Sequence, residues 1–80
     1  MQLTIKYFGL IADLTKKKDE VISFDDDSVT LLEVQSLLQE NYPVLIKTNY
    51  SIAVNQSIVQ GNIAVKDLDE IALLPPFSGG

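Results

Sequence analysis

Eighty residues, 46% hydrophobic and 21% charged, describe one small globular domain; a chain this size buries only about 60% of its unfolded surface and needs an efficient core. Six basic residues against eleven acidic ones give a net charge of −5, which argues against a nucleic-acid partner. With no cysteine and no histidine, disulfides, thiolate nucleophiles, Cys/His metal sites and imidazole bases are excluded by inventory.

Residues Gln2 to Phe8 alternate, with Leu3, Ile5 and Tyr7 on one side and Gln2, Thr4, Lys6 and Phe8 on the other, which predicts a half-buried strand. Gly9 punctuates it, and Leu10 to Leu14 fits a short helical turn before the basic run Lys16-Lys17-Lys18, read as a solvated turn. Glu20 to Phe24 predicts a second strand that sets Val21 and Ser23 against Ile22 and Phe24. Asp25-Asp26-Asp27-Ser28 reads as a solvated acidic turn, since it lacks the glycine and distal glutamate of a calcium loop.

Thr30-Leu31-Leu32-Glu33 has the form of a capping box, with Val29 and Val34 at the positions of a hydrophobic staple. Leu31, Val34, Leu37, Leu38 and Tyr42 make one apolar stripe, Gln35, Gln39 and Glu40 face water, and Pro43 ends the helix near Asn41-Tyr42. After a connection from Val44 to Tyr50, Ser51 to Asn55 predicts a third strand, Asn55-Gln56-Ser57 a turn and Ile58 to Gln60 a short fourth strand. Gly61-Asn62 opens a loop, Val65 to Asp69 reads as a tight turn, and Glu70 to Leu74 is the last strand. Pro75-Pro76 cannot donate to a ladder and ends it.

The order ββαβββ predicts an α+β domain over 1–74, a mixed sheet of about five strands with one main helix on one face, followed by an extended tail over 75–80. Ubiquitin-like β-grasp is the architecture this order fits best. The longest apolar run, Ile71 to Phe77, is far short of a membrane span and contains two prolines. No basic, then apolar, secretory leader opens the chain, so a cytoplasmic location is the expectation.

Scattered carboxylates make a poor catalyst, and Asp67, Asp69 and Glu70 read as turn and strand-start residues. The group with distinctive chemistry is the α-carboxylate of Gly80. Gly79 and Gly80 carry no Cβ, so such an end can thread a narrow channel and expose its carbonyl to attack. A carboxylate reacts only once its oxygen becomes a good leaving group, as in an acyl-adenylate made from ATP; sulfur could then replace the leaving group. Other proteins must perform both steps, which makes the chain a carrier.

The ending Asp69-Glu70-Ile71-Ala72-Leu73-Leu74-Pro75-Pro76-Phe77-Ser78-Gly79-Gly80 resembles the C-terminus of the MoaD family, the small subunits of molybdopterin synthase (molybdopterin converting factor subunit 1). Ala53-Val54-Asn55-Gln56 resembles that family's strand and turn before the fourth strand, and Tyr7-Phe8-Gly9 its aromatic pair and small residue after strand one. Two departures stand out. Ala12-Asp13 replaces the common basic–acidic pair, and Asp67-Leu68-Asp69 replaces a turn that usually carries glycine; Leu68 should resist a positive φ there.

The resemblance implies that a MoeB-like enzyme adenylates Gly80 with ATP and that a persulfide donor converts it to a thiocarboxylate. The tail then enters a MoaE-like large subunit, in a heterotetramer of two small and two large subunits, and sulfur passes to cyclic pyranopterin monophosphate. Pro75, Pro76, Phe77 and Ser78 would hold the arm extended at low entropic cost, and Gly79 would let it fit. No bound cofactor, metal, nucleic acid or membrane is expected. For docking, strand parity turns Leu3, Ile5, Tyr7, Ile71 and Leu73 to the helix and leaves Phe8, Ala72 and Leu74 on the opposite face as a partner patch. The aligned family position adds Ile58. Two other readings share the tail: a thiamine-pathway sulfur carrier (ThiS-like), with another acceptor, and a ubiquitin-related protein modifier. A plain β-grasp binding module with an idle tail is the third.

Overall fold

The computed structural model describes residues 1–76. Its elements are β1 (Gln2–Tyr7), α1 (Gly9–Thr15), β2 (Asp19–Ser23), β3 (Ser28–Thr30), α2 (Leu31–Asn41), a 3-10 helix (Pro43–Lys47), β4 (Ser51–Val54), β5 (Ser57–Val59), β6 (Ala64–Lys66) and β7 (Glu70–Leu74). Five strands form one mixed sheet in the order β2-β1-β7-β4-β5, with β1 and β7 parallel at its centre and the other pairs antiparallel. This is the ubiquitin-like β-grasp arrangement expected from the sequence. No helix among the described residues is long and apolar enough to cross a membrane.

Alternation decides which side chains meet the helix. Leu3, Ile5, Ile71 and Leu73 are fully buried and Tyr7 nearly so, in one cluster with Leu31, Val34 and Leu38 of α2. Each fully buried aliphatic side chain is worth roughly 1.5–3 kcal/mol, so these two central strands and one helical stripe supply much of the core. Leu37 and Tyr42 pack at the margin of that cluster. The capping box forms as its sequence predicts: the Glu33 N–H donates to Thr30 Oγ1 at 3.3 Å, and the Thr30 N–H donates to Glu33 Oε2 at 2.9 Å.

Four details differ from the expectation. Ser28 and Val65 belong to strands, β3 and β6, which pair antiparallel as a separate two-stranded sheet; Val65 is buried against the core, and the turn before β7 is correspondingly shorter. Residues Pro43–Lys47 coil into a 3-10 helix that buries Leu45. Gln35 and Gln39 are half-buried and donate to the Tyr50 hydroxyl at 3.4 and 3.2 Å, where the sequence placed them in water.

Leu68, finally, adopts φ +71°. Its neighbours hold it there: the Leu68 N–H donates to the Gln2 carbonyl at 2.7 Å, the Gln2 N–H to Asp67 Oδ1 at 2.7 Å, and the Lys66 N–H to Asp69 Oδ2 at 2.9 Å. Together these bonds outweigh the roughly 1–2 kcal/mol cost of a left-handed L-residue.

A polar clamp ties three elements together at the end of β1. Tyr7 and Tyr42 both donate their hydroxyls to Glu20 Oε2 at 2.6 Å, their rings meet edge to face at 5.9 Å, and Lys17 Nζ lies 3.5 Å from Glu20 Oε1. Burial and the Glu20 carboxylate push the Tyr7 phenol well above its ordinary range. Burial raises Glu20, but the hydrogen bonds from Tyr42 and Tyr7 and the Lys17 ammonium hold it, on balance, below the ordinary carboxyl value. Lys17 is thus a structural member of the basic run, while Lys16 forms the left-handed C-cap of α1 at φ +61°.

Candidate docking face and tail root

The sheet face turned away from α2 carries the candidate site. Register places Lys6 beside Ala72, Ala72 beside Ala53 and Ala53 beside Ile58, a single row across β1, β7, β4 and β5. Period-2 alternation sends all four to the same side, opposite Leu3, Ile5, Ile71 and Leu73. Phe8 and Leu74 follow at one end of this row, joined through the backbone by the Phe8 N–H donating to the Leu73 carbonyl at 3.1 Å.

Together with Gln56 and Glu70 these residues line a shallow depression of about 280 Å³. Phe8 is 45% and Ile58 50% exposed, Ala72 and Leu74 are half-buried, and Ala53 forms the floor. Large apolar side chains exposed on one face of a sheet mark a surface that can lose water to a partner. Lys6 Nζ and Glu70 Oε1, 3.2 Å apart, neutralise each other at its rim. The small side chains of Ala53 and Ala72 keep the centre low, so a partner's side chain has somewhere to go.

The structure therefore brings Phe8, Ile58, Ala72 and Leu74 onto one face. The turn that carries Gln56 to its edge is a two-residue hairpin loop in which Asn55 and Gln56 both have positive φ, +50° and +72°, the mirror-image geometry that twisted strands favour. Asn55 is pinned there by its own side chain, whose Oδ1 accepts the Glu70 N–H at 3.0 Å while Nδ2 donates to Asp69 Oδ1 at 3.0 Å.

The chain leaves this face at its Phe8–Leu74 end. Pro75 is half-buried and Pro76 exposed. Phe77, Ser78, Gly79 and Gly80 lie outside the described residues. Gly9, which the sequence offered as punctuation and as the small residue of Tyr7-Phe8-Gly9, belongs to this exit: it has φ +53°, and a Cβ on it would stand 2.8 Å from Pro75 Cγ. The signal that could have found it is its place directly after Phe8, at the end of the strand beside β7.

The ThiS family profile matches residues 5–80. This chain belongs to the ThiS family. It is 30% identical over 84 residues to the molybdopterin synthase sulfur carrier subunit of Caenorhabditis elegans, covering 100% of this chain and 99% of that one. Among solved structures it resembles one chain of a protein–protein complex of subunits 1 and 2 of molybdopterin-converting factor from Helicobacter pylori, with a TM-score of 0.70 and 30% identity, covering 100% of this chain and 100% of that one. A putative molybdopterin converting factor subunit 1 from Pyrococcus furiosus shares the fold at TM-score 0.86 and 19% identity, over 95% of this chain and 98% of that one. SAMP1 from Haloferax volcanii shares it at TM-score 0.82 and 21% identity, with both chains fully covered. The MoaD resemblance and the β-grasp fold thus stand together in this ThiS-family chain.

Proposed function

We propose that this chain is the sulfur carrier subunit of a molybdopterin synthase and that the Gly80 carboxylate is the group that carries the sulfur. The observation that carries this reading is the end-to-end likeness to a molybdopterin synthase sulfur carrier subunit, joined to a Gly79-Gly80 end. In this reading a MoeB-like enzyme uses ATP: the Gly80 carboxylate attacks the α-phosphate and pyrophosphate leaves. The outer sulfur of a persulfide attacks the acyl-adenylate and expels AMP. A second thiol then breaks the S–S bond, leaving a thiocarboxylate on Gly80 and a disulfide on the donor.

The face built from Phe8, Ile58, Ala72 and Leu74 docks on a MoaE-like large subunit, two of each forming a heterotetramer. Pro75, Pro76, Phe77, Ser78 and Gly79 form the arm that enters the large subunit's active site. There the thiocarboxylate sulfur attacks a carbon of cyclic pyranopterin monophosphate and displaces an oxygen substituent, which leaves as phosphate or water. Water then hydrolyses the thioester so formed, leaving the sulfur on the pterin and freeing the Gly80 carboxylate. The chain donates sulfur, and catalysis belongs to its partners. It supplies no bound cofactor.

A chain extended by one alanine beyond Gly80 tests this. Reconstituted with adenylating enzyme, persulfide donor, large subunit and pterin precursor, the native chain should yield molybdopterin and the extended chain none. Equal yield from both would refute the reading. A native chain that acquires sulfur but delivers none to the pterin would instead favour a thiamine-pathway carrier, and covalent attachment to lysines of other proteins would favour a modifier.

A further inference from the structure

We propose that Gly9 is a positioning residue for the C-terminal arm: the bare side of its Cα forms the notch that seats the Pro75 ring and so sets the direction in which the chain leaves β7. The inference rests on the reading that Gly80 is the reacting end.

Two constraints meet at this residue. Its φ of +53° turns the chain sharply from β1 into α1, a conformation that glycine takes without a steric penalty. The turn opens a gap beside the end of β7, because β1 and β7 run parallel and end together, Tyr7 paired with Leu73. The Pro75 ring occupies that gap. A Cβ at residue 9 would stand 2.8 Å from Pro75 Cγ and 3.7 Å from Cδ, the first closer than non-bonded carbons tolerate.

The contact matters because, among the described residues, the ladder's backbone hydrogen bonds stop just before it. The Phe8 N–H donates to the Leu73 carbonyl, but Pro75 and Pro76 have no N–H with which to extend the ladder. Seating of the Pro75 ring on residue 9 therefore takes over where backbone pairing ends. Fully extended, the residues beyond Pro75 reach at most roughly 17 Å, so a tilt of about 10° at the root displaces the far end by about 3 Å. Misplacement of a reacting group by 1 Å can cost about a hundredfold in rate.

The test separates the positive φ from the empty space. Asparagine tolerates left-handed φ but brings a Cβ. In the full chain, Gly9→Asn should remain folded by its amide NMR spectrum. With the adenylating enzyme and ATP, pyrophosphate release should show kcat down by at least about tenfold and KM for the chain nearly unchanged. With Pro75→Ala also present, the ring carbons that the new Cβ meets are gone, and adding Gly9→Asn should change kcat by less than about twofold.

A Gly9→Asn chain within twofold of native kcat, or one that loses the same factor with and without Pro75→Ala, would overturn the proposal. A second reading needs no variant: a nuclear Overhauser contact between Gly9 Hα and Pro75 Hγ is expected in the native chain, and its absence refutes the seat even if the variants misfold. A native chain that is never adenylated sinks the carrier reading instead, leaving this contact to decide the role of Gly9.

Discussion

Glu20 occupies an inward-facing position of β2, next to Ile22 in parity, where a carboxylate survives only with donors around it. Tyr7, Tyr42 and Lys17 supply them. The folded carboxyl binds its proton less tightly than the unfolded one, so its stabilisation is complete above the unfolded pKa. It is lost as pH falls through the lower folded value. Glu20→Gln should cost about 1–2 kcal/mol in urea unfolding at neutral pH, with the gap from native narrowing in acid. An inward charge on an alternating strand was a signal present in the sequence, and Lys17 is three residues away, but Tyr7 and Tyr42 lie 13 and 22 residues off and only the fold brings them to it. Leu68 makes the opposite point. A β-grasp turn imposed φ +71° on a side chain that is 76% exposed and gains little from burial. Leu68→Gly should therefore raise stability by about 0.5–1 kcal/mol, read as a higher urea midpoint at unchanged m-value.

Elements with local signals were legible, and elements without them were not. The helix Leu31–Asn41 announces itself through its capping box, stripe and terminal proline. Thr30→Ala removes one side of that box and should cost about 1 kcal/mol by the same urea assay, with the sheet unaltered. Strands β1 and β2 were readable from alternation over five or more residues. By contrast β3 and β6 have three residues each and pair across a long sequence separation, Ser28 with Lys66 and Thr30 with Ala64. A span that short carries no period, and the burial of Val65 that marks it is a tertiary fact.

The whole molecule joins a core built on one face of the sheet to an apolar patch on the other. Strand parity alone separated the two, which is why Phe8, Ala72 and Leu74 could be named from the sequence. The depression they line with Ala53 and Lys6 needed the register of four strands. Gly9 escaped the sequence for the same reason, since its contact with Pro75 exists only once β1 and β7 lie side by side. Leu74 is half-exposed, so Leu74→Glu should leave the thermal midpoint within a few degrees of native. It should also weaken binding to a MoaE-like large subunit at least about a hundredfold in calorimetric titration, as burying an unpaired carboxylate does.

The central claim is that the reactive atom sits on Gly80 and the folded body presents it. Intact mass spectrometry after incubation with adenylating enzyme, ATP and a persulfide donor measures this most directly. The account predicts a mass gain equal to one oxygen exchanged for one sulfur, confined to the C-terminal peptide and dependent on ATP. A chain whose mass is unchanged, or whose gain maps to any other peptide, would contradict it.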